Sequence, residues 1–164
     1  MGLNAGPPMT PGAYNNNFQL FQTPEYVVIL NEMVHDARII PLDGRPHGHV
    51  RQWKGDSRGH WEGNTLVVNT TNFKRETSLP NSSASLHLVE RFTRTADDTL
   101  LYEFTVDDPT TWTTPWTAVV PTRKSEEPIY EYACHEGNYA MASILAGARA
   151  AEKARQDATK SESK

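Results

Sequence analysis

The stretch LHLVERFTRTADDTLLYEFTV, residues 86–106, decides the fold class. Two runs of alternating apolar and polar residues, 86–95 and 100–106, flank the turn-like tetrad Ala96-Asp97-Asp98-Thr99. Residues two apart on a strand share a face. In the first run one face holds Leu86, Leu88, Glu90 and Phe92, and the other holds His87, Val89, Arg91 and Thr93. In the second run Leu100, Tyr102, Phe104 and Val106 form the apolar face, and Glu103 points away. The pattern is that of a β-hairpin with one glutamate turned inward.

Working outward, TLVVNTT at 65–71 follows Trp61-Glu62-Gly63-Asn64, where Gly-Asn between strand-like runs signals a second hairpin. Residues 26–35, 38–42, 116–122 and 129–134 read as further strands. No helical crossover separates them, so a parallel sheet is excluded and consecutive strands form an antiparallel meander. A meander of about 7–9 strands removes its unpaired edges by closing. The expected fold is mainly β: a calycin-like β-barrel or strongly curved sheet spanning 25–137. One C-terminal α-helix, 138–156, is expected to pack on it. There Met141, Ile144, Leu145 and Ala148 recur at helical spacing, opposite Arg149, Glu152, Lys153 and Arg155. Residues 1–24 carry no charge and are rich in Gly, Pro and Asn, which favours an extended arm lying along the barrel. Residues 157–164 form a polar tail.

Composition narrows the function classes. The chain has 164 residues, one domain by length. Hydrophobic residues make up only 37%, yet 4 Trp, 6 Tyr and 5 Phe argue against disorder and for a thin-cored domain. A net charge of -4 speaks against a nucleic-acid partner. The lone Cys134 excludes an intrachain disulfide framework and a Cys-rich zinc module. Apolar runs fall short of the ~20 residues a membrane span needs. The N-terminus lacks the basic and apolar regions of a signal peptide, so none is read in the chain as given.

Inward carboxylates are the first candidates for chemistry, because a buried acid must find a cation or donors, or hold a proton. Glu90 is one. Glu32 is a second, sharing parity with Val28, Leu30 and Val34 in the run 26–35. Arg38, Arg45 and Arg91 are the arginines available to pair with them. Left unpaired, either glutamate is a candidate general acid or base.

Among six histidines, His47 and His49 stand two apart, so an extended backbone puts both on one face. A metal would need a third ligand from His35, Glu32, Glu90 or His135, and Gly48 loosens the geometry. No metal or cofactor is therefore expected, and His47 is read as an acid–base group. Cys134 and His135 point to opposite faces of a strand and form no dyad; the thiol reads as structural. Nucleophile-elbow, phosphate-loop and dinucleotide signatures are missing. Trp53, Trp61, Trp112 and Trp116 sit near turns, as rim packing or as a ligand platform.

Five stretches together resemble one family: RIIPLDGRPH (38–47), GHWEGNTLVVNT (59–70), VERFTR (89–94), DDPTTWTTPW (107–116) and YEYACHEGN (130–138). They are similar to a large group of mostly uncharacterised, mostly exported bacterial proteins, frequent in Acidobacteria, Proteobacteria and Planctomycetes. That resemblance covers most of residues 18–148. It implies a periplasmic or secreted location and lends no established reaction. Its pattern matches this chain at Asp43, Arg45, His47, Trp61, Glu62, Glu90, Arg91, Trp116, Cys134, Glu136 and Asn138.

The leading expectation is a small-molecule pocket in the barrel. Glu90, Glu32 and His47 would supply acid–base chemistry of a lyase, isomerase or hydrolase. Arg45 and Arg91 would bind an anionic group, with Trp61, Trp116 and His35 as further contacts. Two alternatives are a non-catalytic subunit docking through both ends, within a homo-oligomer or larger assembly, and a His47-dependent metalloenzyme.

Overall fold

The computed structural model describes residues 6–76, 79–133, 137 and 139–162. The chain divides into two compact units, Met1–Tyr132 and Ala133–Lys164. The first contains two antiparallel sheets. β1 (Phe18–Gln22), β2 (Tyr26–Asn31) and β3 (Asp36–Pro41) form one, in that order. β4 (Asp56–Glu62), β5 (Thr65–Thr71), β6 (His87–Ala96), β7 (Thr99–Asp107) and β8 (Trp116–Arg123) form the other. The second unit contains α1 (Ala140–Glu162), which runs through the stretch expected to be a tail.

The alternation of 86–106 behaves as its sequence predicts. Leu88, Glu90 and Phe92 are buried on β6, and Tyr102, Phe104 and Val106 on β7. The register sets Glu90 opposite Phe104 and Phe92 opposite Tyr102. Both sheets feed one core: Val27, Ile29 and Ile40 from the first meet Leu66, Val68, Leu88 and Phe104 from the second. An aromatic ladder crosses the second sheet, with ring centroids 4.9 Å apart for Phe92–Tyr102, 5.5 Å for Tyr102–Phe104 and 5.8 Å for Phe104–Trp116. Ile40 of β3 and the following Leu42 pack tightly over Gly59 on β4. A Cβ there would stand 2.8 Å from a Leu42 methyl and 2.9 Å from an Ile40 methyl, so only glycine fits without displacing them.

Four departures from the expected meander have physical causes. β3 and β4 do not pair, because the connection 42–55 is a long irregular segment and no hairpin turn. β2 ends at Asn31 and buries Val27, Ile29 and Asn31, the opposite parity to that expected. Glu32 is nevertheless buried, because it has left the strand and opens the 3-10 turn Met33–His35. Residues 129–133 form no strand: the amides of Tyr130 and Tyr132 turn to Glu32 and His35 instead of to a neighbouring ladder. Finally, β1 lies inside the stretch read as an arm. The arm does return to the core, where Pro7, Pro8 and Met9 are buried.

Candidate functional site

Glu90 is fully buried on β6 and does not stand alone. Arg38 of β3 grips its carboxylate with two nitrogens, at 2.6 and 3.0 Å. The Tyr102 hydroxyl donates to the same carboxylate at 2.8 Å and accepts the Met9 amide at 3.0 Å. Tyr102 reaches Glu90 because diagonal neighbours on one sheet face lie within reach of a long side chain. Burial, then the Glu90 charge, pushes the Tyr102 hydroxyl well above its ordinary range. Burial disfavours the Arg38 charge, but Glu90 more than offsets it and holds the guanidinium protonated. This network joins the two sheets and leaves Glu90 fully engaged.

Glu32 sits elsewhere and acts as a clamp. One carboxylate oxygen accepts the Asn17 amide at 3.2 Å and the Asn17 side-chain nitrogen at 2.9 Å. The other accepts the Tyr130 amide at 3.4 Å. It therefore ties the chain just before β1 to the segment after β8. Beside it the backbone takes an uncommon path: Val34 and His35 have φ of 55° and 50°. His35 Nε2 lies 3.2 Å from the Tyr130 carbonyl and 3.3 Å from the Tyr132 amide.

The segments Glu32 holds together border an open cleft of about 1170 Å³. Its floor is apolar, formed by Phe18, Leu20, Leu30, Leu100 and Ile129. Phe18 and Leu100 also pack against the core, so the floor is the core's own margin. Arg94, Arg123, Lys124, Asp97, Asp98 and Glu127 add charge around it, and His35 contributes an imidazole. Arg94 pairs with Asp97 at 3.5 Å and Lys124 with Glu126 at 3.2 Å. Among the described residues the Arg123 side chain makes no hydrogen bond or ion pair, which leaves its guanidinium open to an anion.

His47 lies outside this cleft. Its Nδ1 stands 3.5 Å from Asp56 Oδ2, a buried carboxylate that also accepts the Gly48 amide at 2.7 Å and pairs with Arg58. Arg58 in turn donates to the Pro46 carbonyl at 3.2 Å, and Asn72 to the Gly48 carbonyl at 2.8 Å. The 46–48 loop is thereby pinned to β4 and to Asn72, the residue after β5. Among the described residues no three His, Cys, Asp or Glu side chains are grouped to hold a metal ion. His135, Cys134, Glu136 and Asn138 lie outside those residues.

The remaining sequence candidates are dispersed. Arg45 is exposed and taken up by Asp43, two residues back, which holds the Asp43 carboxyl at about 2. Arg91 reaches Glu62 at 2.8 Å on an exposed sheet face. Trp61 is exposed on β4, whereas Trp116 packs edge-on against Phe104 and Trp112. Glu90, Glu32 and His47 share no hydrogen bond or ion pair, so the structure does not bring the three together. Of the residues expected at a pocket, His35 lines the cleft and Glu32 braces it. Sequence reasoning missed Tyr102, Asp56, Asn17 and Arg123. Tyr102 alone had a legible signal, as the polar-tipped member of an inward face diagonal to Glu90. Compared with known protein families, curated proteins and solved structures, the chain matches none.

Proposed function

We propose that this chain binds a small organic anion with an apolar body, in the cleft bounded by β1 and β8. One observation carries the reading: a cleft of about 1170 Å³ whose apolar floor continues the core and whose rim holds an unengaged guanidinium, Arg123. Ligand sites combine apolar walls with a few convergent polar groups in this way. In this reading the two sheets act as one strongly curved, calycin-like wall, and the seam between β1 and β8 is its mouth. Glu32 keeps the two margins of that mouth in register. Any acid–base step on the ligand falls to His35, the imidazole in the lining. The sequence resemblance supports a location outside the cytoplasm for such a binder, in the periplasm or secreted.

The test is chemical-shift mapping with a panel of arylalkyl carboxylates, using wild type and Leu20→Glu. Wild type is expected to show shifts concentrated in Phe18, Leu20, Leu30, Leu100, Ile129 and Arg123. Leu20 is exposed, so the variant should fold normally and, by losing apolar surface and repelling the anion, bind roughly tenfold more weakly or worse. If no carboxylate perturbs those residues, or if Leu20→Glu binds equally well, the reading fails.

A further inference from the structure

Among the described residues four strands stand at sheet edges: β1 and β3 in one sheet, β4 and β8 in the other. Proteins protect such edges with charges, prolines or bulges, because unpaired N–H and C=O groups recruit another strand. Three of the four are protected here. β3 carries Asp36, Arg38 and Pro41. β4 carries Asp56, Arg58 and Glu62. β8 carries Pro121 and Arg123. β1, with the sequence FQLFQ, has neither charge nor proline, and its pairing with β2 runs without a bulge. Leu20 and Phe21 are 38% and 45% exposed on it.

This unprotected edge borders the cleft. Phe18, Gln19 and Leu20 of β1 line one side, and Thr122 and Arg123 of β8 line the other. Among the described residues neither strand has a partner strand beyond it. We infer that the ligand of this cleft is a short linear peptide, bound extended against β1. Its backbone pairs with β1, its apolar side chains on one face rest on Phe18 and Leu20, which share a face of β1, and its C-terminal carboxylate meets Arg123. The inference rests on the cleft being the ligand site and names the ligand class. A strand-by-strand fit of this kind draws affinity from main-chain hydrogen bonds and specificity from alternate side-chain contacts. A peptide ending in a carboxylate engages both sides of the cleft, β1 and Arg123, whereas an edge-to-edge pairing of two folded copies would use β1 alone.

The probe is acetyl-Val-Thr-Val-Leu with a free C-terminus, titrated into the full chain and followed by backbone amide shifts. Three comparisons accompany it: the peptide N-methylated at alternate amides, its C-terminal amide, and phenylacetate as a non-peptide carboxylate. The expected result is binding of the parent with slowed amide exchange in Phe18–Gln22. N-methylation should weaken it about tenfold or more, through lost main-chain bonds. Arg123→Gln should weaken the free acid and leave the C-terminal amide unaffected. Equal binding of the parent and N-methylated peptides, or shifts from phenylacetate with none from the peptide, overturns the peptide assignment and leaves the cleft as a site. If neither probe shifts the cleft residues, the site itself is refuted and the peptide assignment with it.

Discussion

At the scale of single residues, the buried charges set the largest energies. Glu90 and Arg38 are 0% and 6% exposed, and each satisfies the other. Removing one partner strands a charge in the core, whereas replacing both with apolar side chains costs far less. Arg38→Met is therefore expected to destabilise by about 3 to 5 kcal/mol, and the double variant Arg38→Met/Glu90→Leu by clearly less. Urea unfolding midpoints of the three proteins check this; a double variant as unstable as the single one would show that the pair is not the source. The inward position of Glu90 was legible, because a period of two on a strand needs no tertiary information. Which arginine would meet it was not, since Arg38 lies on a strand of the other sheet.

Asp108 is a second residue whose chemistry becomes an observable. Burial raises its carboxyl, but the Ser83 amide and hydroxyl and the Thr110 hydroxyl outweigh this and hold it at about 2. An ordinary aspartate titrates near ~3.9. The depressed group contributes stability that is fully present above about pH 4 and is lost as pH falls toward 2. Asp108→Asn should thus lower the melting temperature most at neutral pH, and the difference from wild type should shrink through that acid window. A difference independent of pH between 2 and 7 would contradict the role given to Asp108.

At the scale of elements, the turn between β2 and β3 carries visible strain. Val34 is β-branched and has φ of 55°, a conformation that costs such a side chain roughly 1–2 kcal/mol. It is 39% exposed, so little packing is lost on truncation. Glycine adopts this φ freely but loses about 0.5–1 kcal/mol more chain entropy on folding. Val34→Gly is accordingly expected to leave stability unchanged or raise it by up to about 1 kcal/mol, measured by chemical denaturation. A loss above that figure would mean the valine contributes packing that its exposure does not reveal. The turn also explains why 26–35 misled as one long strand. Tyr26–Leu30 and Val34 favour β structure and suggest one run, but the ladder ends at Asn31, where Glu32 turns to Asn17 and Tyr130 instead. β1 was hidden for the complementary reason. Its surroundings of Gly, Pro and Asn read as an arm, and pairing with β2 overrides that local preference.

At the scale of the whole molecule, Met1–Tyr132 unites two sheets that the chain never joins by a strand pair. Their common core and the Arg38–Glu90 bridge are what couple them. One cooperative transition is expected, with tryptophan fluorescence reporting the second sheet and amide protection of β2 reporting the first, both losing signal at one denaturant concentration. Separated midpoints would show that the sheets are independent units. Strand type, the hairpins at 63–64 and 96–99, the inward Glu90 and the C-terminal helix followed from the sequence alone, because each is encoded by local spacing within a run or by the residues of one turn; the burial of Glu32 did not, since it comes from the chain leaving β2. Which strands stand at edges, which arginine neutralises Glu90, and where a cleft opens between β1 and β8 were decided only by the tertiary structure. Those outcomes depend on how two separate sheets pack against each other, and no pattern within a single strand carries that information.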